Sequence, residues 1–400
     1  MNRQDFLKNC TALGMGLPFL SLLMSSCKSE DPIFPATGVN FSGKVLIVGA
    51  GAAGLVAGHI LQKQGIDFEI LEASAAYGGR VKKIEGFADF PIDLGAEWIH
   101  TDLAVFSRLL QDPNKQASID TIVYSPDIYF WKNQQLKRRK VFSNFYSEYK
   151  FKNTTWYDFF EQHIVPNIAD KIRYDTAVTT IDYSGDKVVL TSAKQETFTA
   201  DKVLLTVPIN ILKQQLITFE PAMPADKAQA IQAVDMPAGI KVFMEFSEKF
   251  FPDLVYDGGL SAFLGGTSGE KIFYDAAYRK ESDRNILALF NVGESANRYV
   301  DLKSDDEIIQ TILGELDEMF DGKASATYMN HVIQNWSKEP YILGSYSHHA
   351  DYSLMDILRQ PLDNKVYFSG EAYAESDATV HGAGESSYVA LERMLKYLDK

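Results

Sequence analysis

Four hundred residues, 46% of them hydrophobic, suffice to bury a large core and to form two domains in one chain. A formal charge of −14 argues against nucleic acid and anionic membrane surfaces as partners and is compatible with a cationic substrate. The two cysteines, Cys10 and Cys27, both lie near the N-terminus, so the remaining chain has no thiol for a disulfide, a covalent cofactor link or a nucleophile.

Residues 1–26 read as an export signal. Arg3 and Lys8 give a basic start, and Thr11 to Ser26 is mostly apolar and short for a bilayer span. Leu23, Met24, Ser25, Ser26 and Cys27 are similar to a bacterial lipoprotein processing site, with Cys27 as the lipidated residue. Arg3, Phe6, Leu7 and Lys8 resemble a twin-arginine signal, but Gln4 stands where the second arginine belongs. An uncleaved N-terminal anchor helix is the alternative. The expected location is the bacterial periplasm or cell envelope, with the membrane touched only through the N-terminal lipid anchor. Residues 28–42 carry Pro32, Pro35 and Gly38 and read as a tether.

Lys44 to Val48 is an apolar run with the pattern of a buried parallel strand. Gly49, Gly51 and Gly54 follow at the dinucleotide-fingerprint spacing. They predict a tight turn, backbone N–H groups close to a pyrophosphate, and a helix packed close to the strand. A helix over about Ala52 to Gln64 points its N-terminus at that pyrophosphate. Asp67 to Leu71 is the second strand, and Glu72 at its end is placed to accept hydrogen bonds from a ribose. That acid disfavours NADP and leaves NAD and FAD. Gly78, Gly79 and Arg80 add a second glycine pair just past the acidic strand end.

Further on, the run from Leu94 to His100 reads L-G-A-E-W-I-H. Asp102 to Gln111 is expected to be helical, Thr121 to Trp131 a strand, Asn133-Gln134 a turn, and Thr155 to Ile172 a helix capped by Thr154 or Thr155. Trp156, Tyr157, Phe159 and Phe160 form an aromatic stripe expected in the core, and Lys137 to Lys140 a solvated basic run. Strands return over Asp175 to Leu190 and Lys202 to Pro208. Ala238 to Phe246 is an apolar strand interrupted by one lysine, Lys241, whose ammonium needs water or a partner. A helix follows Asp305-Asp306. Gln334 to Tyr346 reads Q-N-W-S-K-E-P-Y-I-L-G-S-Y. Lys365 to Ser369 is a strand, Gly370-Glu371 follow it, and T-V-H-G-A at Thr379 to Ala383 opens the last helix. His348-His349 has no acid or cysteine cluster at ligand spacing, so no metal site is expected.

These motifs, in this order from Lys44 to the C-terminus, resemble the flavin-containing amine oxidases: monoamine oxidases, polyamine oxidases and flavin histone demethylases. L-G-A-E-W-I-H and T-V-H-G lean towards the polyamine type. The resemblance implies an α/β fold in which a Rossmann-like FAD-binding domain of the glutathione-reductase type is interleaved with an α+β substrate domain carrying a mixed sheet. The expected FAD-binding segments are 43–100, 173–240 and 356–400, and the substrate segments 101–172 and 241–355. FAD would be held non-covalently by Gly49, Gly51, Ala53, Gly54, Glu72, Ala73, Gly79, Arg80, Gly95, Ala96, Glu97, Trp98, Val178, Trp336, Tyr346, Gly370, Glu371, Thr379 and Val380.

The catalytic candidates are Lys241, which the resemblance places against a water on the flavin N5, and His100, at a position that faces substrate. Several relatives put an aromatic residue shortly before the final helix to cage the amine. Here Glu375, Ser376 and Asp377 stand there, with Tyr373 a little earlier. The implied reaction oxidises a C–N bond of a primary or secondary amine, polyamines among them, to an imine. O₂ is the acceptor, and aldehyde and H₂O₂ are the products. The alternatives are an amino-acid oxidase, a desaturase or dehydrogenase of the same fold, and a flavoprotein that binds ligand without turnover. An amino-acid oxidase needs an arginine for the carboxylate, and the motifs offer only Arg80.

Overall fold

The computed structural model describes residues 41–112, 119–138, 148–258, 269–349 and 351–396. The export signal, Cys27 and nearly all of the tether lie outside the described residues, as do Arg139 and Lys140 of the basic run.

A five-stranded parallel sheet forms the first layer. Its order is Ile172–Arg173, Asp67–Leu71, Lys44–Val48, Lys202–Leu205 and Val366–Phe368. The central run Val45 to Val48 is almost wholly buried, as expected of a strand covered on both faces. The helix Ala52–Gln64 leaves it through the glycine loop and ends at Gly65 in the left-handed conformation. The last helix, Val380–Lys396, packs against this helix. A four-stranded sheet, Thr197–Ala200, Val188–Ser192, Val178–Asp182 and Thr218–Glu220, adjoins the parallel sheet.

A seven-stranded mixed sheet forms the second body. Its order is Tyr328–Asn335, Gly239–Phe246, Asn285–Val292, Glu270–Asp275, Leu254–Asp257, Ile128–Lys132 and Gln135–Arg138. Only the Leu254–Asp257/Ile128–Lys132 pairing is parallel. Ile240, Val242 and Met244 face a core shared with Ile308, Ile312 and Leu316 of the helix Asp305–Met319, while Phe243 faces a different core. That alternation turns Lys241 away from the helix layer. A three-stranded sheet, Trp98–Ile99, Glu148–Phe151 and Thr121–Tyr124, lies between the two bodies.

Two elements, and the packing of one of them, differ from the sequence expectation. The single strand over Thr121 to Trp131 is two strands in different sheets, Thr121–Tyr124 and Ile128–Lys132, because Pro126 between them cannot donate to a ladder. The helix over Thr155 to Ile172 is capped by the Thr155 side chain but ends at His163, just before Pro166, and continues as short 3₁₀ turns. Trp156, Phe159 and Phe160 of that helix lie in one core with Val45, Leu55 and Ile60. This part of the segment 101–172 therefore packs with the nucleotide fold, sharing a core with the first helix.

Candidate active site

The glycine loop, the second acidic strand end and the start of the last helix all open on one cavity of ≈ 490 Å³, within the range of cofactor and ligand sites. Gly49 has φ +106°, Gly79 φ +59° and Gly370 φ +138°, conformations that side chains rarely adopt, and all three line the cavity. Ala53, Ala73, Ala96, Val178 and Val380 line it as well. Gly54 does not. An added Cβ there would lie 1.9 Å from the Gly49 carbonyl oxygen, so Gly54 serves the close packing beneath the loop instead of the cavity wall.

Glu72 accepts from the N–H of Ala50 at 2.6 Å and of Ser74 at 2.8 Å. Burial pushes its carboxyl up, and these N–H groups oppose the rise. Arg80 donates to Glu371 Oε1 at 2.8 Å and to the Ser345 carbonyl at 3.0 Å, and Glu371 also accepts from the N–H of Ser347 and of Ala378. Arg80 is thus joined to two motifs 265 and 291 residues further along the chain, by a hydrogen bond to the first and an ion pair to the second. Burial disfavours the Glu371 carboxylate, but Arg80 and Ser347 outweigh it and hold the group below its ordinary value. Thr379 caps the last helix: its hydroxyl accepts from the N–H of Gly382 at 3.0 Å. Gly95 is required by close approach, since an added Cβ would lie 1.8 Å from the Arg80 carbonyl oxygen. Trp336 donates through Nε1 to the Leu94 carbonyl at 3.0 Å and is buried beside it.

Trp98, Lys241, Phe290 and Tyr346 cluster in one part of the cavity wall, and His100 lines it too. Lys241 is in no edge strand. It lies in the interior of the seven-stranded sheet, opposite Phe290 on one side and Gln334 on the other. Its ammonium donates to the Asp93 carbonyl at 2.7 Å, the Gly95 carbonyl at 3.1 Å and Glu97 Oε2 at 2.7 Å. Burial draws the ammonium below its ordinary value against the pull of Glu97. Glu97 lines the cavity, but its carboxylate is engaged by Lys241, Lys150 and the Tyr274 hydroxyl. Burial opposes its ionisation, yet the two lysines draw it down to about 2. Its carboxylate therefore holds the two lysines, while the residue still lines the cavity as expected of a cofactor-binding position.

His100 Nδ1 lies 2.7 Å from Glu148 Oε1, a buried carboxylate on the strand that pairs with Trp98–Ile99. The Tyr346 and Phe290 rings are parallel within 8°, their centroids 6.4 Å apart. Tyr373 is core, tilted against Phe368, and does not line the cavity. The aromatic wall comes from Phe290 and Tyr346 instead. Sequence reasoning passed over Phe290, Glu148, Lys150 and Tyr274. Glu148 and Lys150 carried one faint signal, two opposite charges alternating with Tyr149 and Phe151 in a strand-like run. Among the described residues no group of histidine, cysteine and acid side chains is placed to hold a metal ion.

The residues present fit FAD. The glycine cradle leaves space at Gly51, where an added Cβ would meet nothing closer than the Gly78 carbonyl oxygen at 3.9 Å. The N-termini of the helices Ala52–Gln64 and Val380–Lys396 both reach the cavity wall, where their N–H groups suit phosphate and carbonyl acceptors.

Comparison with known proteins gives the same picture. The family model described as "Flavin containing amine oxidoreductase" matches residues 160–395, and one described as "NAD(P)-binding Rossmann-like domain" matches 47–112. Polyamine oxidase 3 of Oryza sativa subsp. japonica is 24% identical over 435 residues, covering 87% of this chain and 88% of the relative. Lysine-specific histone demethylase 1B of Mus musculus is 26% identical over 228 residues, 55% of this chain and 28% of the relative. Among solved structures, a redesigned putrescine oxidase has a TM-score of 0.72 at 17% identity, covering 89% of this chain and 99% of the other. Cyclohexylamine oxidase from Brevibacterium oxydans IH-35A has a TM-score of 0.73 at 16% identity, covering 90% and 100%.

Proposed function

The chain belongs to the flavin containing amine oxidoreductase family, and from that premise we propose that it oxidises a primary or secondary amine, polyamines among the candidates, with O₂ as acceptor. It is an FAD-dependent oxidoreductase. FAD supplies the two-electron chemistry when bound. The observation that carries the reading is Lys241: a single buried ammonium, held by Glu97, in the wall of the cavity that the glycine loop also lines.

The side chains divide the work. Arg80 and Glu371 fix three cavity segments relative to one another. Trp98, Phe290, Trp336 and Tyr346 line the cavity with aromatic surface. Lys241 presents positive charge there, which disfavours an ammonium beside it, so the reacting nitrogen enters neutral and needs no strong base. The His100–Glu148 pair offers a polar anchor in the cavity wall. Among the described residues lining the cavity, Arg80 is the only arginine, and its guanidinium is engaged by Glu371 and the Ser345 carbonyl. That favours an amine over an amino acid as substrate. Relatives named polyamine oxidase and putrescine oxidase support the amine class.

The test is anaerobic. An amine substrate is expected to bleach the oxidised flavin band of the purified holoprotein. Polyamines, monoamines and amino acids form the panel, and bleaching by amino acids alone, or by none of the panel, overturns the reading.

We also propose export and anchoring through a lipid on Cys27. The support is the basic start, the apolar stretch and the residues before Cys27. Among the described residues no helix is long and apolar enough to cross a membrane. Cys27→Ser is expected to move the protein from the membrane to the soluble fraction on centrifugation. Unchanged fractionation favours an uncleaved N-terminal helix.

A further inference from the structure

Behind Glu97 lies a second lysine that no motif predicted. Lys150 is 1% exposed and does not reach the cavity. It sits on the strand Glu148–Phe151, directly opposite Trp98. Its ammonium forms an ion pair with Glu97 Oε1, while Lys241 takes Glu97 Oε2. Around it stand the rings of Trp98 at 5.0 Å and of Tyr124 and Tyr274 at 4.8 Å. A buried ammonium is tolerated only with such partners. One carboxylate therefore serves two buried lysines, and only one of the two faces the cavity.

We propose that Lys150 is a positioning residue for the reaction: by sharing the Glu97 carboxylate with Lys241, it sets how firmly Lys241 holds its proton at the cavity wall. This rests on the amine-oxidase reading for its consequence, but not for its test.

The charged and titratable groups around this pair enter the balance, and beyond them Glu148, on the same strand face as Lys150, is paired with His100. Glu97 favours the Lys241 ammonium, and Lys150 opposes it by like charge. Burial and the neighbouring Glu97 push the Asp93 carboxyl well up, so Asp93 offers Lys241 chiefly its backbone carbonyl. The Tyr274 hydroxyl donates to Glu97 and is held protonated by burial and by that carboxylate. The buried Tyr124 hydroxyl is pushed up for the same two reasons. Lys280, behind them, donates to the carbonyls of Phe151 and Lys152 and is drawn down to about 8 by burial and by Lys150. The arrangement places two lysines in competition for one acid, and removing either partner of Lys241 must move its titration in opposite directions.

The experiment uses the FAD-loaded protein labelled with ¹⁵N at lysine side chains, with the Lys241 Nζ signal identified by its loss in Lys241→Met. Lys150→Met keeps the chain length and suits the aromatic pocket. It is expected to move the Lys241 titration midpoint upward by about one pH unit or more, the scale for one nearby charge. Glu97→Gln is expected to move it downward by at least as much. The pH profile of flavin reduction by amine should shift in the same senses. Midpoints that stay put, or that move the same way in both variants, overturn the proposal, because lost packing alone gives no opposite shifts. If Glu97→Gln does not fold, Lys150→Met decides alone: a midpoint that fails to rise overturns it. The NMR titration needs no turnover, so its failure is distinct from a failure of the amine-oxidase reading.

Discussion

Gly51→Val is expected to give a folded protein that purifies without colour. Gly51 has φ −75°, an ordinary conformation for any residue, so valine meets no backbone strain. An added Cβ contacts nothing nearer than the Gly78 carbonyl oxygen at 3.9 Å, so the branch point of the side chain meets no clash with the protein. The space it fills is cavity, at the N-terminus of the first helix, where backbone must approach a pyrophosphate. The loss should therefore fall on FAD binding and leave the fold intact. Gly54→Ala is the contrasting control. Its Cβ would overlap the Gly49 carbonyl at 1.9 Å, so the loop itself must shift and the melting temperature should fall. The measurements are flavin absorbance relative to protein absorbance, and thermal unfolding followed by circular dichroism. Gly51→Val protein carrying a full complement of FAD would sink the assignment of the loop.

The two glycines show why this part of the molecule was legible in the sequence. Strand, turn, helix and acid follow one another within thirty residues or so, and each is dictated by local backbone geometry. Lys241 was legible for a related reason: a lone charge in an apolar strand must have a partner somewhere. What the sequence did not reveal was the partner. Glu97 lies 144 residues away along the chain, and Lys150 meets the same carboxylate from a third segment. Periodicity reports which face of a strand a side chain occupies, not which distant strand lies against that face. Phe290 was missed for the same reason, since its place opposite Lys241 is fixed by sheet register. Pro126 and Pro166 were visible, yet their breaking of a strand and a helix was underweighted against strong apolar patterns on either side.

Lys241→Met is the substitution expected to cost the reaction most while leaving the protein intact. Methionine matches the length of the side chain and suits its apolar neighbours. Glu97 keeps Lys150 and the Tyr274 hydroxyl after the change, so no buried carboxylate is left unpartnered. FAD retention should therefore persist, because Lys241 takes no part in the Arg80–Glu371 contacts and its one bond to a cavity-lining glycine is to the Gly95 backbone carbonyl. What is lost is a fixed, buried ammonium at the cavity wall, where preorganised charge is worth far more than in water. Amine oxidation, reoxidation by O₂ or both should slow roughly 10²-fold or more, the scale for removing one such group, or about 2.7 kcal/mol of barrier. Stopped-flow mixing of the oxidised enzyme with amine, and separately of the reduced enzyme with O₂, tells the two half-reactions apart. If both rates stay within about threefold of the unsubstituted enzyme, under ~1 kcal/mol, then Lys241 only completes the buried ion cluster around Glu97 and the positive wall of the cavity has no part in the chemistry.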